Sequence, residues 1–333
     1  MDAAGRLHAG LADLGFRGAV RLELGGEVLL DEAFGEDGAG VALTTATAFQ
    51  IASVSKSFDA ACVMLLVDRG LVSLDDSLPS RVPGAPPEWD AITIRHLLTH
   101  TSGLAHWDGV TGLDPFRACA REELIALFAA TPLKSRPGER FSYSSLGFVL
   151  LADIVGSIAG MSYPSFLASE VLEPLGLEQT RAADPAAGVA AAHGSAAGQP
   201  VEPFELATVC VGTGDVWSTT GDLVRWPSAL AGADFLRAET RAAIFSGPAP
   251  IGPGEDGVTE VPGLTDLAYG YGWYTALFGG ERLVFHTGDN PGFASLVAWA
   301  PDRDLRVAVL EADQADFSPP VLSALAELLS QPA

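Results

Sequence analysis

Residues 49 to 70 read Phe49-Gln50-Ile51-Ala52-Ser53-Val54-Ser55-Lys56-Ser57-Phe58-Asp59-Ala60-Ala61-Cys62-Val63-Met64-Leu65-Leu66-Val67-Asp68-Arg69-Gly70. A short apolar lead-in runs into Ser53-Val54-Ser55-Lys56, and a helix follows. Phe58, Ala61, Cys62, Leu65 and Leu66 recur at the spacing of one buried stripe, and Gly70 stands where a left-handed cap ends a helix. Ser53 and Lys56, three residues apart, share a face of the first turn, so a hydroxyl and an ammonium meet at the positive end of a helix dipole. A serine becomes a nucleophile only when its proton has somewhere to go, and a desolvated lysine can take it. Of the 19 basic residues only Lys56 and Lys134 are lysine. The composition thus favours arginine, yet a group able to lose its proton stands here. A serine N-cap followed by an ordinary first-turn residue accounts for the same letters, so the choice rests on partners elsewhere in the chain.

Upstream, Leu7, Leu11 and Leu14 give Asp2 to Leu14 an amphipathic helical pattern that Gly15 breaks. Ala19 to Leu24 alternates with period two, Gly25-Gly26 is a two-residue turn signal, and Glu27 to Phe34 returns as the second strand of a hairpin. The lead-in Phe49 to Ile51 reads as a short connecting strand. Downstream, from Asp59 to about Leu230, the pattern is helical, with Pro- and Gly-rich loops between segments such as Ile94 to Leu98, Arg121 to Ala130 and Leu146 to Ile158. Strands return after Tyr269-Gly270-Tyr271-Gly272-Trp273, at Trp273 to Leu277, Leu283 to His286, Ala294 to Ala300 and Leu305 to Leu310, and a helix over Pro319 to Leu329 closes the chain. The expected fold is α+β: an antiparallel sheet flanked by the terminal helices (1–58 and 231–333), split by an all-α insertion (59–230), with the site at their interface.

Composition narrows the function. The chain has 333 residues, and its 48% hydrophobic content suffices for a soluble globular protein of one large or two interleaved domains. A formal net charge of -23 argues against nucleic acid or an anionic membrane as partner, since both need a basic surface. No run of 18 apolar residues occurs, and Met1 to Arg6 lacks a basic region followed by an apolar one, so the expected location is cytoplasmic. Cys62, Cys119 and Cys210, sparse and without CxxC spacing, fit reduced core thiols.

Two further segments offer partners for Ser53. In Pro137-Gly138-Glu139-Arg140-Phe141-Ser142-Tyr143-Ser144-Ser145 a turn delivers Tyr143 to the start of a helix, where its phenol becomes a useful base if a cation such as Lys56 lowers its pKa. A packed aromatic explains Tyr143 as simply. In Phe285-His286-Thr287-Gly288-Asp289-Asn290-Pro291-Gly292-Phe293, Gly288 permits close backbone approach, and a strand-edge N–H there can join that of Ser53 in an oxyanion hole. A hairpin loop would give the same residues.

Ser-x-x-Lys at a helix start, Pro-Gly-x-x-Phe-x-Tyr-Ser-x and His-Thr-Gly on a late strand occur in the order and spacing of the penicillin-recognising serine hydrolases. The chain resembles that superfamily, in particular its class C β-lactamase-like branch of esterases, D-aminopeptidases, DD-peptidases and transacylases. Gly70 to Asp76, Ile92 to Leu104, Gly214 to Leu223 and Tyr269 to Trp273 also look like family segments, and the resemblance covers about residues 17–328. It implies that Ser53 is the acylated nucleophile, Lys56 its proton partner and Tyr143 the general base and acid, with the N–H groups of Ser53 and Asp289 as the oxyanion hole and no cofactor. Ser145, His286, Thr287 and Gly288 would line the substrate. Two positions depart from the pattern. Ser145 stands where many members have asparagine, and His286 where penicillin-binding members often have lysine. A histidine is mostly uncharged at neutral pH, so a carboxylate anchor is missing and an ester or other acyl substrate is favoured over a β-lactam or peptide C-terminus.

The expected function is therefore hydrolysis of a small acyl ester through a Ser53 acyl-enzyme. Acyl transfer, peptidase or β-lactamase activity, and a non-catalytic binding protein on the same fold, stand as alternatives. His96, His100 and His106 could ligate zinc, although His96-Leu97-Leu98-Thr99-His100 lacks the glutamate of a zincin. No Gly-x-Ser-x-Gly occurs, which disfavours a lipase-type hydrolase. The loops His106 to Ala118 and Phe245 to Leu267 carry no recognisable signal for the pocket they would shape.

Overall fold

Gly25 and Gly26 both take positive φ, +59° and +82°, which lets the chain reverse in two residues with the twist a hairpin needs. The strands it joins are β1 (Gly18–Leu24) and β2 (Glu27–Phe34). Ahead of them lies α1 (Ala3–Asp13), whose N-terminus is capped by Asp2 accepting from Gly5 N at 2.8 Å. The structure, a computed structural model, describes residues 2–196, 198–201, 210–232, 234–254, 261–313 and 316–330.

The hairpin opens an antiparallel sheet of eight strands. The others are β3 (Ala249–Pro250), β4 (Leu264–Tyr269), β5 (Tyr274–Phe278), β6 (Glu281–Asn290), β7 (Phe293–Ala300) and β8 (Leu305–Glu311), in the order β2-β1-β8-β7-β6-β5-β4-β3. The fold is thus mixed α+β. Strands β3 and β4 fall in the segment 245–267 that carried no signal, of which 255–260 lie outside the described residues, as do 197 and 202–209 of the stretch read as helical. The lead-in Phe49–Gln50 does form a strand, but pairs with Val216–Ser218 in a separate three-stranded sheet completed by Arg181–Ala182.

Helix α2 (Ser55–Asp68) ends as its sequence requires: Gly70 is left-handed at φ +71°, and Leu71 N donates back to Leu66 O at 2.9 Å. The single buried stripe is a correction, because every residue from Ser55 to Leu66 is buried. Between Asp59 and Asp68 the sequence has no polar side chain apart from a thiol, and the helix is enclosed on all sides. It packs on α4 (Ser145–Ala159), which α3 (Ile94–Leu98) also contacts. On another side it meets α5 (Thr220–Leu230), where Phe58 stacks on Trp226 with centroids 4.1 Å apart and Trp226 Nε1 donates to Ser57 Oγ at 2.8 Å. Burying two such rings stabilises the fold by roughly 2–3 kcal/mol each, with about 1 kcal/mol more from stacking. Helix α5 in turn lies on β1, β7 and β8, while α6 (Ser318–Ser330) packs with α1. One face of the sheet therefore supports the Ser53 turn and the helices behind it, and α6 covers the other. Among the described residues no single helix is long and apolar enough to cross a membrane.

Candidate active site

Ser53 sits in a 3-10 turn, Ala52–Val54, just ahead of α2. It is half-buried between fully buried neighbours. Ala52 has φ +47°, a conformation that costs a non-glycine residue about 1 kcal/mol or more and persists where surrounding contacts impose it. Those contacts are visible: Ile51 N donates to Val216 O at 2.9 Å, Ser295 Oγ donates to Ile51 O at 2.7 Å, and Val216 N donates to Ser55 Oγ at 3.1 Å. A strained turn is thereby pinned against the sheet with the half-buried Ser53 at its centre.

Lys56 is fully buried, and its Nζ lies 2.9 Å from Ser53 Oγ and 3.1 Å from the carbonyl of Thr213. Burial pulls its pKa down from 10.5 to about 7, against the upward pull of Cys210, Asp59 and Asp215. Near neutral pH much of the amine is therefore free to take a proton. Asp59, one turn along α2, is fully buried; burial and then Asp215 push its carboxyl well above the usual carboxylate range, against the opposing pull of Lys56. Asp215 itself accepts from Gly212 N at 3.1 Å and shapes the loop whose Thr213 carbonyl meets the lysine.

Tyr143 completes the group. Lys56 Nζ stands 5.1 Å from the centroid of its ring, and the rings of His100 and His106 flank it at 4.3 and 5.6 Å. Ser145 is the first residue of α4, and its backbone N–H donates to His106 Nδ1 at 3.2 Å. The three histidines that sequence alone allowed as zinc ligands do not converge. His96 Nδ1 accepts from Thr93 N in a capping box, His100 Nδ1 accepts from Ser144 N, and His106 Nδ1 accepts from Ser145 N. Among the described residues no group of three potential ligands is placed to hold a metal ion.

The His-Thr-Gly residues lie inside β6, which runs on to Asn290, and the hairpin turn in this segment is confined to Pro291 and Gly292. Pairing with β5 ends at Phe285 opposite Tyr274, and the strand continues past it toward Ser53. Gly288 is where it passes closest. A Cβ there would lie 2.4 Å from Ile51 O and 2.9 Å from Ser53 N. The glycine thus admits the Ser53 turn. Asp289 follows it, and Asn290 Nδ2 donates to Gln50 Oε1 at 2.7 Å and Gly214 O at 3.0 Å, tying this end of the strand to the same turn. Thr287 points to the opposite face, where it lines a cavity of about 230 Å³ with Leu283, Phe285 and α6. Its side chain therefore lies apart from His286 and Gly288.

His286 is buried, its Nδ1 2.6 Å from Thr287 O and its Nε2 2.9 Å from Tyr269 Oη. A carbonyl only accepts, so Nδ1 carries the proton and Nε2 accepts from the tyrosine. Burial, then Lys56, lowers its pKa to about 3. Asp59, Thr213, Asp215, His100, His106 and Tyr269 were not assigned to the serine site from sequence. The signals available were an acid at Asp59 just ahead of the apolar run 60–67 and the family-like segments in which His100, Asp215 and Tyr269 lie.

The β-lactamase family model matches residues 6–328. The chain belongs to the β-lactamase family. It is accordingly a serine hydrolase of the β-lactamase and penicillin-binding protein group. Among its relatives, penicillin-binding protein 4* of Bacillus subtilis (strain 168) is 30% identical over 305 residues, covering 85% of this chain and 65% of its own length. This chain thus spans about two thirds of that protein. The D-alanyl-D-alanine-carboxypeptidase/endopeptidase AmpH of Escherichia coli (strain K12) is 29% identical over 282 residues, 78% of this chain and 70% of that one. In structure, the octameric penicillin-binding protein homologue from Pyrococcus abyssi superposes with a TM-score of 0.81 at 28% identity, over 99% of this chain and 78% of that one. The D-amino acid amidase from Ochrobactrum anthropi SV3 gives 0.81 over 98% and 99% at 23% identity, a likeness of fold alone.

Proposed function

We propose that this member of the β-lactamase family is an esterase that cleaves small acyl esters through a covalent intermediate on Ser53. In the reaction Ser53 Oγ attacks the ester carbonyl while its proton passes to Lys56 Nζ, 2.9 Å away. The oxyanion is met by the N–H groups of Ser53 and Asp289, brought together because Gly288 lets β6 pass against the turn. Tyr143, beside the lysine, relays that proton to the departing alkoxide; in the second half-reaction it takes the proton of the attacking water, which returns by way of Lys56 to Ser53 Oγ as the acyl group leaves.

The observation that carries the ester assignment is His286. Neutral, buried and hydrogen-bonded to Tyr269, it occupies the strand position where a lysine would meet a substrate carboxylate. A peptide C-terminus or a β-lactam carboxylate therefore finds no permanent charge at that point, and a neutral ester loses nothing by its absence. The net charge of -23 supports a small neutral partner over nucleic acid or an anionic membrane. Transfer of the acyl group to an alcohol instead of water uses the same residues.

A second reading, D-amino-acid amidase or peptidase, draws on the activities named for the Escherichia coli and Ochrobactrum anthropi proteins. A panel of p-nitrophenyl acetate and butyrate, D-phenylalanine amide, a D-alanyl-D-alanine peptide and nitrocefin separates them. The esters are expected to exceed each of the others in kcat/KM by roughly tenfold or more, the size of one or two missing charge-assisted contacts. Faster turnover of the amide, the peptide or nitrocefin would overturn the ester assignment.

A further inference from the structure

Tyr143 stands immediately before Ser144, the N-cap of α4, and Ser145, its first residue. The first N–H groups of any helix lack intrahelical acceptors and need partners from elsewhere. Here a serine at the cap position makes no side-chain capping bond; Ser144 Oγ instead donates outward to Ala105 O at 2.8 Å. The vacancy is filled from the loop after α3. His100 Nδ1 accepts from Ser144 N at 3.1 Å, and His106 Nδ1 accepts from Ser145 N at 3.2 Å. Ser142 N donates to His100 O at 2.8 Å, so the Tyr143 turn is tied to that loop on both sides of the tyrosine.

Both imidazoles also touch the phenol ring, His100 tilted over it at 34° and His106 edge-on at 82°. The placement of His100 is costly. It has φ +54° just beyond the end of α3, a left-handed position for which glycine is the usual residue. Glycine there would relieve the backbone and remove the acceptor.

We propose that His106, with His100 behind it, is a positioning residue for Tyr143: the two imidazoles cap α4 from a neighbouring loop and so hold the phenol at Lys56 and Ser53. Each must present an unprotonated Nδ1 to the positive end of the helix, with its proton on Nε2. Both do so at neutral pH, since burial and then Lys56 lower the pKa of His106 to about 4 and that of His100 well below its ordinary value. His106 is half-buried, which makes it the member of the pair that can be exchanged with least disturbance.

The inference rests on Tyr143 as the proton relay coupled to Lys56 and Ser53, and its test reads the rate at which a fluorophosphonate labels Ser53, followed by intact mass. His106→Leu removes the acceptor; His106→Asn keeps one at the δ position; His106→Gln keeps polarity but moves the acceptor out by one bond. Labelling is expected to slow roughly 10- to 100-fold in His106→Leu and His106→Gln, in the limiting rate constant and not in half-saturation, and to stay within about threefold of wild type in His106→Asn. Because His106 acts through Tyr143, adding His106→Leu to Tyr143→Phe should cost little more than Tyr143→Phe alone. Wild-type rates in the Leu and Gln variants, an Asn variant as slow as the Leu variant, or a double variant slowed by the product of the single factors would each overturn it. No labelling of Ser53 in the wild type would instead remove the reading of the site itself, and the inference with it.

Discussion

Replacing Gly288 by alanine tests whether the site is built by close approach of two backbone segments. The new Cβ would lie 2.4 Å from Ile51 O, 2.5 Å from Ser295 Oγ and 2.9 Å from Ser53 N. The serine hydroxyl can swing away, though at the loss of its 2.7 Å bond to Ile51 O, but the carbonyl and the amide belong to a turn that cannot yield alone. To bring the carbonyl contact from 2.4 Å to an ordinary 3.4 Å, β6 and the Ser53 turn must separate by about 1 Å. A displacement of that size between nucleophile and oxyanion donors costs roughly 100-fold in rate, or about 2.7 kcal/mol of transition-state stabilisation. The overpacking itself is expected to cost roughly 1–3 kcal/mol of stability, which the fold can bear. The assay is the rate of Ser53 labelling by a fluorophosphonate, with kcat/KM on the best ester, against a thermal melt of each variant. Ser295→Ala in the same background relieves one contact only and should recover little. A folded Gly288→Ala variant that reacts within about threefold of wild type would refute the reasoning.

Tyr143→Phe keeps the ring between its two histidines and removes only the hydroxyl. It should melt near the wild-type temperature and lose a factor of roughly 10² or more in kcat/KM; near-normal rates would leave Lys56 as the sole base. For pH dependence the sign follows from the amine. Lys56 accepts a proton only when neutral, and its pKa of about 7 means that kcat/KM should fall about tenfold per pH unit below 7 and level off above it. An acid limb near the ordinary lysine value of 10.5, or none between pH 5 and 8, would contradict that role.

The strands and helices that alternate or repeat cleanly in sequence were legible within a residue or two: the Gly25-Gly26 hairpin, strands β7 and β8 and the closing helix α6, whereas β6 was read as ending at His286 and runs on to Asn290. Strand β4 was not, because Leu264-Thr265-Asp266-Leu267-Ala268-Tyr269 buries only its second half and so lacks a full alternating pattern. Helix α2 looked amphipathic because five apolar positions happen to fit one stripe, whereas burial on every side needs no stripe at all. Of the site, the 2.9 Å approach of Lys56 to Ser53 was readable from their three-residue spacing, although Ser53 lies in the 3-10 turn ahead of α2 and not in the helix itself. The turn that holds Tyr143 was not, since capping by His100 and His106 joins residues about 40 positions apart in the chain. Thr287 was grouped with His286 by motif, but adjacent residues on a strand face opposite ways.

The central claim is that Ser53 carries the acyl group. Incubating the protein with a p-nitrophenyl ester or a fluorophosphonate and measuring intact mass, followed by peptide mapping, reads it directly. The account predicts one adduct per chain, located on Ser53, with turnover reduced by several powers of ten in Ser53→Ala. An adduct on another residue, or undiminished turnover by Ser53→Ala, would contradict it.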